Sequence, residues 1–533
     1  MATCGEALIR LLELYRIETI FGIPGVHTVE LYRGLGNSPI RHVTPRHEQG
    51  AGFMADGYAR ASGKVAACFI VTGPGLTNIA TAMGQAYADS VPMLVISSVN
   101  RREELGMGEG RLHELPSQRG LMAGLTAFSH TLMRPDELPH LLARAFASFT
   151  GARPRPVHIE LPLDVITAEA DDLAMVAPPS GTRPAPDPVR IAEAATLLRQ
   201  AKRPLVVLGG GAKDAATEAR AFVETLGALA VTTINGKGIL PTGHPLSLGS
   251  ALPQPPVAAK LAEADVVLAV GTELGETDTL LFDRRLELRG KLIRIDIEAD
   301  QLTRNALPAV AILSDAALAL RALEAELRGA AIAAPSAAPV AQQMRAELER
   351  LLTERQRLHR QVFTTLQQAV PGAIVVGDQN QPIYSANLFY EPERPRSYFN
   401  AATGYGTLGY ALPAALGAKL AAPERPVVAV IGDGGLQFTI GELATAVELE
   451  LPVPILIWNN RGYGEIRDYM AARGIPQIGV NIYTPDFLTI ARGFGCEAMR
   501  AQTLDQVAEG LRQSQHRRGP TVIEIEETTA QAW

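Results

Sequence analysis

The sequence predicts an α/β protein with three doubly wound domains, each built on a parallel β-sheet. Three observations lead to this prediction. Apolar runs of strand length alternate with stretches of helical spacing along the whole chain, an order typical of parallel sheets. Several runs are continuously apolar, as in strands that are buried on both faces. The length of 533 residues is too great for one core and favours about three domains.

Composition and charge narrow the class of protein. The hydrophobic fraction of 47% and the charged fraction of 20% are ordinary for a globular chain. The net charge of −7 and the lack of a Lys/Arg-rich run argue against a nucleic-acid surface. No apolar run reaches ~18 residues, and charges interrupt the N-terminal stretch, so we expect neither a membrane span nor a signal peptide. The three widely spaced cysteines favour reduced thiols and a cytoplasmic location.

The first predicted domain covers residues 1–170 and begins with an amphipathic helix followed by a short strand at Thr19 to Phe21. A helix from about Thr28 to Leu35 follows. A buried strand at Val65 to Val71 ends in the turn Thr72-Gly73-Pro74-Gly75, and another strand covers Met93 to Ser97. This order of strands and helices is that of a doubly wound α/β domain.

A helix rich in glycine and alanine begins near Glu48, in the stretch RHEQGAGFMADGYAR. Small residues allow close packing between helices, either within the domain or across a dimer. A carboxylate at a helix N-terminus is favourable by itself, so a purely structural role explains Glu48 equally well. The functional alternative is a catalytic acid, because a desolvated glutamate can transfer protons near neutral pH.

A polar, glycine-containing loop from Gly106 to Gln118 has the composition of an active-site loop rather than of a linker. It contains His113 and Glu114. His113 is either a surface histidine or a proton donor or substrate contact, and the sequence leaves both open.

The second predicted domain covers residues 189–330, after a Pro/Gly/Ala-rich linker, and has strands at Pro204 to Leu208 and Val266 to Val270. Its triple glycine after the first strand lacks the spaced dinucleotide fingerprint and is weak support for a nucleotide site. The acidic stretch Gly271 to Asp278 is either a solvated loop or part of a pocket for a cationic substrate.

The third predicted domain covers residues 341–533, after an Ala/Pro-rich linker. We expect a long charged helix from Gln342 to Leu366 and a strand from Ala373 to Gly377. That strand ends in polar residues, Asp378-Gln379-Asn380-Gln381, and a glycine-rich turn follows at residues 404–409.

Within this domain, the strand Val427 to Ile431 ends in Gly-Asp-Gly-Gly, and helical spacing follows from Leu436 to Leu449. The next strand ends in Asn459-Asn460. Because a crossover between parallel strands brings both ends to one edge, Asp433 and Asn460 should meet. Carboxylate and amide oxygens suit Mg²⁺ or Ca²⁺, and the glycines let backbone N–H groups approach an anion. The pattern predicts a diphosphate that is held through a divalent metal.

The interval of about two dozen residues between GDG and NN resembles the thiamine-diphosphate (ThDP) motif of the acetolactate synthase and 2-oxo acid decarboxylase superfamily. The resemblance covers essentially the full chain and implies pyrimidine-binding, central and diphosphate-binding domains in that order. It implies ThDP and Mg²⁺ as cofactors, with Asp433, Asn460 and the carbonyl of Gly462 as metal ligands. It also implies a homodimer or a dimer of dimers, in which each cofactor lies between two subunits.

The same resemblance assigns further site residues. Glu48 would be the essential acid that acts on the aminopyrimidine of the cofactor, the carbonyl of Gly406 would accept from its amine, and Leu408 would be the wedge beneath it. The remaining cofactor contacts would be Thr72, Pro74, Asn78, Asp378, Gln379, Asn380, Gly432, Asp433, Gly434, Gly435, Asn460 and Gly462.

The stretches FGIPGVHTVELYRGL and GRLHELPSQR resemble most closely the 5-guanidino-2-oxopentanoate (2-ketoarginine) decarboxylases of arginine catabolism. The expected reaction is that of a lyase, which converts a 2-oxo acid into an aldehyde and CO₂. His113 is the second catalytic candidate. Candidate substrate contacts are Val26, His27, His113, Glu114 and Glu465, and the carboxylates of Glu114, Glu273, Glu276 and Glu465 could pair with a guanidinium.

Two other functions stay open. An acetolactate-synthase-like carboligase would use the same ThDP residues, although the chain lacks the Arg-Phe-Asp-Asp-Arg segment of those enzymes and we therefore expect FAD to be absent. A ThDP-binding subunit without catalysis is disfavoured because the chain retains Glu48.

Overall fold

The computed structural model describes residues 2–179, 181–279 and 286–533. It contains three parallel β-sheets that follow one another along the chain, with helices between successive strands. The predicted class, α/β with three parallel-sheet domains, is confirmed. Within these ranges, no helix combines the length and the apolar character that crossing a membrane requires.

The first sheet is buried on both faces. Along its third strand, Cys68 and Ile70 contribute to one hydrophobic core, whereas Ala67 and Phe69 contribute to another. Its strands are β1 (Thr19–Gly22), β2 (Arg41–Val43), β3 (Ala66–Ile70), β4 (Met93–Val99), β5 (Phe128–Thr131) and β6 (Val157–Pro162), in the order β2-β1-β3-β4-β6-β5. Its helices are α1 (Cys4–Leu14), α2 (Val29–Tyr32), α3 (Glu48–Ser62), α4 (Pro74–Ala88), α5 (Gln118–Ala123), α6 (Leu138–Gly151) and α7 (Leu163–Ile166).

The second sheet has the order β11-β10-β9-β7-β8. Its strands are β7 (Pro204–Leu208), β8 (Leu229–Thr232), β9 (Val266–Val270), β10 (Lys291–Asp296) and β11 (Val310–Leu313). The helices are α8 (Pro188–Gln200), α9 (Ala216–Leu226), α10 (Pro255–Glu263), α11 (Glu276–Thr279) and α12 (Ala316–Leu327).

The third sheet brings the GDG and NN segments to one edge, because Gly432 of β14 pairs with Trp458 of β15. Its strands are β12 (Ile374–Gly377), β13 (Tyr398–Asn400), β14 (Val427–Gly432), β15 (Pro454–Asn459), β16 (Glu497–Arg500) and β17 (Thr521–Glu526), in the order β13-β12-β14-β15-β17-β16. The helices are α13 (Ala338–Leu351), α14 (Glu354–Ala369), α15 (Gln381–Phe389), α16 (Ala411–Ala421), α17 (Asp433–Thr439), α18 (Glu442–Glu448), α19 (Gly464–Ala472), α20 (Phe487–Gly493), α21 (Leu504–Ser514) and α22 (Glu527–Ala530).

The prediction of one long helix from Gln342 to Leu366 is wrong, because α13 ends at Leu351 and α14 begins at Glu354. A capping box starts the second helix. The Thr353 hydroxyl accepts from the Gln356 N–H at 3.2 Å, and the Gln356 side chain accepts from the Thr353 N–H at 2.9 Å.

Two other predicted helices are also shorter than expected. The stretch from Thr28 to Leu35 contains only the four-residue α2, and a 3₁₀ turn follows from Arg33 to Asn37. The stretch after GDGG is interrupted at Ile440-Gly441, so that α17 and α18 are separate and α17 begins at Asp433 itself.

The glycine-rich helix α3 packs against α16, which joins the first domain to the third within one chain. A Cβ atom on Gly57 would lie 1.9 Å from the carbonyl oxygen of Ala414. One on Gly417 would lie 1.9 Å from that of Met54. The small residues therefore allow two helices from different domains to touch at their backbones.

Candidate active site

A cavity of about 320 Å³ lies at the carboxyl edge of the third sheet. The ends of β12, β14 and β15 and the turn before α16 form its walls. Most of the residues predicted for the diphosphate half of the site line it: Gln379, Asn380, Gly406, Leu408, Gly432, Asp433, Gly434, Gly435, Asn460 and Gly462. Gln381, Tyr384, Trp458, Tyr463, Gly464, Glu465 and Ile466 complete the wall.

Asp433 is 1% exposed, and its carboxylate holds the segment after β15 in place. Its Oδ2 accepts from the Gly462 N–H at 2.9 Å and from the Thr484 hydroxyl at 3.2 Å, while Oδ1 accepts from the Asn460 N–H at 3.4 Å. Burial raises the pKa of Asp433, and these hydrogen bonds partly offset that effect.

The side-chain amide of Asn460 faces two acceptors. One of its polar atoms lies 2.9 Å from the Gly462 carbonyl oxygen and 3.2 Å from Asp433 Oδ1. This geometry has two chemical solutions: the amide nitrogen is turned towards both oxygens, or the amide oxygen is turned towards them and a cation lies between the three. The donor set, a carboxylate, an amide and a backbone carbonyl, fits a hard divalent cation.

Asp378, a predicted cofactor contact, is fully buried and does not line the cavity. Its carboxylate accepts from the N–H groups of Gln379 at 2.7 Å and Gly409 at 2.8 Å. Burial raises its pKa to about 7. Asp378 therefore holds the glycine-rich turn that carries Gly406 and Leu408.

The pyrimidine half of the predicted site lies in the first domain. Glu48 is the first residue of α3 and is partly buried, and its Oε2 accepts from Asn78 Nδ2 at 2.9 Å. Thr72 is fully buried, and its hydroxyl donates to Gln118 Oε1 at 2.6 Å. The side chain of Thr72, a predicted cofactor contact, thus supports the turn from within. Pro74, the next predicted contact, is exposed.

His113 lies on the outside of the same turn and has a left-handed backbone, with φ of 60°. Its ring contacts that of His27 edge to face, with 5.2 Å between the centroids. Among the described residues, neither Nδ1 atom has a hydrogen-bond partner, although both are buried. Burial and the neighbouring His113 lower the pKa of His27. Val26, beside His27, is 67% exposed.

The two halves do not form one cavity within a single chain. The wall of the cavity around Asp433 includes no described residue of the first domain. Glu48 is absent from that wall: its Oε2 accepts from Asn78 of α4, and Glu442 of α18 hydrogen-bonds to the backbone just before it.

Comparison with known proteins identifies the family of this chain. Three family models match the chain: the N-terminal thiamine pyrophosphate (TPP) binding domain at residues 2–121, the central domain of TPP enzymes at 191–323, and the C-terminal TPP binding domain at 380–525. The chain belongs to the thiamine pyrophosphate enzymes. The cavity around Asp433 lies in the C-terminal binding domain of the enzyme and Glu48 in the N-terminal one.

The similar proteins are named either as a 2-ketoarginine decarboxylase or as acetolactate synthases. The enzyme is 48% identical over 533 residues to the "Probable 2-ketoarginine decarboxylase AruI" of Pseudomonas aeruginosa, which covers 99% of this chain and 94% of the relative. It is 34% identical to the acetolactate synthase large subunit of Corynebacterium glutamicum, and the match covers 100% of this chain and 88% of the relative. It is 32% identical to the probable acetolactate synthase large subunit of Methanocaldococcus jannaschii, and the match covers 98% of this chain and 91% of the relative.

Of the four carboxylates singled out for a guanidinium, only Glu465 lines the cavity around Asp433. Within the described part of the chain it has no hydrogen bond or ion pair. Glu114 instead accepts from the N–H groups of Gly108 at 2.7 Å and Arg111 at 2.9 Å. These bonds lower its pKa and hold the loop.

The other two carboxylates belong to the central domain. Glu273 pairs with Arg153 and lines a separate cavity of about 220 Å³ between the first and second domains. Glu276 is the exposed first residue of α11. Asp278 also lines the separate cavity, and burial raises its pKa to about 7. The acidic stretch is therefore partly a solvated loop and partly a cavity wall.

Sequence reasoning missed several residues that support the site. Thr484 is 51 positions from the aspartate it contacts and carries no motif. Gln118 is the last residue of the polar loop, and its hydrogen bond with Thr72 stabilises the turn after β3. Gln381 is the last residue of the predicted polar strand end but had no role of its own assigned, and it accepts from the Asn460 amide at 3.2 Å. The run of polar residues after β12 was the one available signal for it.

Proposed function

We propose that this enzyme is a ThDP- and Mg²⁺-dependent decarboxylase of a 2-oxo acid, and that it converts 5-guanidino-2-oxopentanoate into 4-guanidinobutanal and CO₂. The observation that carries the proposal is the free carboxylate of Glu465 in the cofactor cavity. It is supported by the 48% identity to a relative named as a 2-ketoarginine decarboxylase.

The metal would be held by Asp433, Asn460 and the carbonyl of Gly462, because the Asn460 amide lies within 3.2 Å of an oxygen of each of the other two residues. These are hard oxygen ligands, and Mg²⁺ commonly takes such ligands together with phosphate oxygens. Gln379, Asn380 and the glycines of the GDGG turn would surround the diphosphate. Thr484 would keep the Asp433 carboxylate oriented.

When bound, ThDP supplies a carbon nucleophile that adds to the carbonyl of the 2-oxo acid and then accepts the electrons released with CO₂. Glu48 would hold and move the proton at the aminopyrimidine ring of the cofactor. Asn78 donates to Glu48 and so orients it. Leu408 would support the cofactor from below, and the carbonyl of Gly406 would accept from its amine. Positioning of this kind contributes on the order of 7 kcal/mol to lowering a barrier.

His113 is the candidate for the proton that completes the aldehyde. It lies on the loop next to Gly73, and its ring is packed against His27. The two unpaired Nδ1 atoms leave both rings able to donate or accept. Val26 and His27 would line the substrate side of this half-site.

Glu465 would pair with the guanidinium of the substrate. It is exposed in the cavity wall, so it does not have to break an existing ion pair to do so. A guanidinium and a carboxylate form charge-assisted, bidentate hydrogen bonds. Glu114 is less suited, because the backbone of its own loop already occupies its oxygens.

The active site would be complete only in a homodimer or a dimer of dimers, with Glu48 of one copy beside Asp433 of another. Large apolar side chains around both half-sites support such an interface, since they are exposed in the isolated chain. They include Val26 at 67%, Leu112 at 60%, Ile466 at 50%, Ile478 at 78% and Tyr483 at 84% exposure.

We propose further that the enzyme works without FAD. The stretch from Gly271 to Asp278 replaces the arginine-rich segment of acetolactate synthases, and its Glu273 and Asp278 line the cavity between the first and second domains. An absorption spectrum of the purified protein tests this. A flavin band that persists after extensive dialysis would contradict it.

An acetolactate-synthase-like carboligase is the second candidate, because relatives at 32–34% identity carry that name. The discriminating experiment incubates the enzyme with ThDP, Mg²⁺ and a panel of 2-oxo acids, and follows CO₂ and products. Aldehyde from 5-guanidino-2-oxopentanoate supports decarboxylation. Acetolactate from pyruvate, without aldehyde from any acid, would contradict it, and a lack of turnover on all acids would favour a non-catalytic subunit.

A further inference from the structure

Glu442 is a buried carboxylate from the third domain that binds the backbone of the first. It is 1% exposed and begins α18. Its Oε1 accepts from the N–H groups of Arg46 at 3.0 Å and His47 at 3.1 Å, and its Oε2 lies 3.1 Å from the Arg46 nitrogen. These two N–H groups immediately precede Glu48.

The surroundings of Glu442 hold it in one orientation. The Thr445 hydroxyl donates to Oε2 at 2.7 Å. On the opposite side, a Cβ atom on Gly50 would lie 2.2 Å from Oε1, so glycine is needed there for the carboxylate to reach the backbone. The charge of the Arg46 side chain, which pairs with Glu448 at the surface, also acts on this carboxylate.

This contact connects the two kinds of half-site within one chain. Asp433 begins α17, and Glu442 begins the next helix, α18. Through Glu442, the helix pair that carries the predicted metal ligand is hydrogen-bonded to Arg46 and His47, the two residues that precede Glu48 at the start of α3. A shift of α18 would therefore move the backbone of Glu48.

We infer that Glu442 is a positioning residue, which holds the start of α3 so that Glu48 meets the aminopyrimidine of the cofactor. The inference rests on the proposed function only in taking Glu48 as the acid. No other described side chain accepts from the N–H groups of Arg46 and His47, so removal of the carboxylate leaves both without that partner.

The first test replaces Glu442 by alanine and by glutamine. In the ThDP- and Mg²⁺-loaded enzyme, we expect Glu442→Ala to lower kcat about 100-fold with KM changed by less than about threefold, since small misplacements of catalytic groups have effects of this size. Glu442→Gln keeps one carbonyl oxygen for the two N–H groups and should retain kcat within about tenfold. Glu448→Gln, on the same helix and exposed, is the matched control and should leave kcat unchanged.

A second measurement distinguishes the loss of Glu48 positioning from a general disturbance of the structure. The exchange of the thiazolium C–H of bound ThDP with deuterium reports the proton transfer that Glu48 assists, and it requires no substrate. We expect this exchange to slow in Glu442→Ala by about the same factor as kcat. Wild-type exchange combined with a reduced kcat would overturn the inference.

A third variant tests the contact from the other side and covers the case in which Glu442→Ala does not fold. Gly50→Ala places a methyl group against Oε1 and displaces the carboxylate, while alanine is a better helix former than glycine. Gly151→Ala, at a helix position with open space around it, is the control. A folded Gly50→Ala protein with wild-type kcat and thiazolium exchange would contradict the inference.

These experiments also distinguish failure of the proposed function from failure of the inference about Glu442. If the wild-type enzyme decarboxylates no 2-oxo acid but accelerates thiazolium exchange, the substrate assignment fails and the role of Glu442 is still measured. If ThDP does not bind at all, amide hydrogen exchange at Arg46 and His47 remains as the test. Those amides should exchange faster in Glu442→Ala than in wild type, and equal rates would overturn the inference.

Discussion

The side-chain amide of Asn460 lies 2.9 Å from the carbonyl oxygen of Gly462, and the Asp433 carboxylate is 3.2 Å from the same amide atom. Three oxygen-bearing groups from two strand ends therefore converge on one point. The sheet register produces this convergence, because β14 and β15 are parallel neighbours that end together. A divalent cation at this point would link the protein to a diphosphate.

Replacing Thr484 by valine tests the support of this metal site. The Thr484 hydroxyl donates to Asp433 Oδ2 at 3.2 Å, and valine removes it at nearly constant volume. We expect Mg²⁺ affinity in the presence of ThDP to fall about tenfold, as is usual when a residue that orients a metal ligand is lost. Titration calorimetry measures it. Thr489→Val is the control, because the Thr489 hydroxyl donates to the surface residue Asp486, and equal affinities in all three proteins would refute the role of Thr484.

The variant Glu48→Gln tests the proposed acid. Glutamine preserves the shape of the side chain but cannot exchange the proton, so we expect kcat to fall by about 10²- to 10⁴-fold. Mg²⁺-dependent binding of ThDP should stay measurable, because the ligands around Asp433 are untouched. Glu30→Gln, at a surface position paired with Arg33, is the control. Undiminished turnover in Glu48→Gln would show that another group does this work.

The substrate assignment is tested at Glu465. We expect Glu465→Gln to raise KM for 5-guanidino-2-oxopentanoate about tenfold or more, since charge-assisted hydrogen bonds contribute roughly 1.5–3 kcal/mol. KM for the uncharged 2-oxopentanoate should stay unchanged. Glu114→Gln is the matched control, because that carboxylate binds its own loop. Equal effects on the charged and uncharged acids would exclude Glu465 as the guanidinium partner.

Asp378 predicts a specific pH dependence of stability in the protein without cofactor. Burial raises its pKa from the ordinary 3.8 to about 7, so the folded state favours the protonated carboxyl. The protonated carboxyl therefore makes its full contribution to the free energy of unfolding below pH ~4, and this contribution is lost as the pH rises to about 7. Relative to Asp378→Asn, the wild-type free energy of unfolding should fall over this range, by up to about 1.4 kcal/mol per pH unit. Urea unfolding at several pH values measures the difference, and parallel pH profiles would contradict it.

The sequence alone could predict the elements that rest on local pattern. The strands Pro204–Leu208 and Val266–Val270 have the predicted bounds, because their apolar runs end at glycine or charged residues. Asp433 and Asn460 could be placed together because the parallel crossover leaves one arrangement. The helix breaks at Thr353 and Gly441 were missed, since helical spacing continues across both.

Other features depend on contacts between distant parts of the chain. Glu442 and the backbone of Arg46 are 396 positions apart, and no periodicity indicates their contact. The burial of Thr72 and Asp378 likewise follows from what packs over each turn. Their sequence neighbourhoods, polar residues after a strand, were compatible with cofactor contact but did not show the direction of the side chain.

The most direct measurement concerns whether Glu48 of one copy and Asp433 of another serve the same cofactor. Glu48→Gln and Asp433→Ala should each be inactive alone. When the two are unfolded, mixed and refolded together, or co-expressed, the preparation should regain roughly one quarter of the wild-type activity, because about half of the dimers are mixed and each mixed dimer contains one intact site out of two. Activity no higher than that of the separate variants, in a preparation shown to contain mixed dimers, would contradict a site shared between subunits.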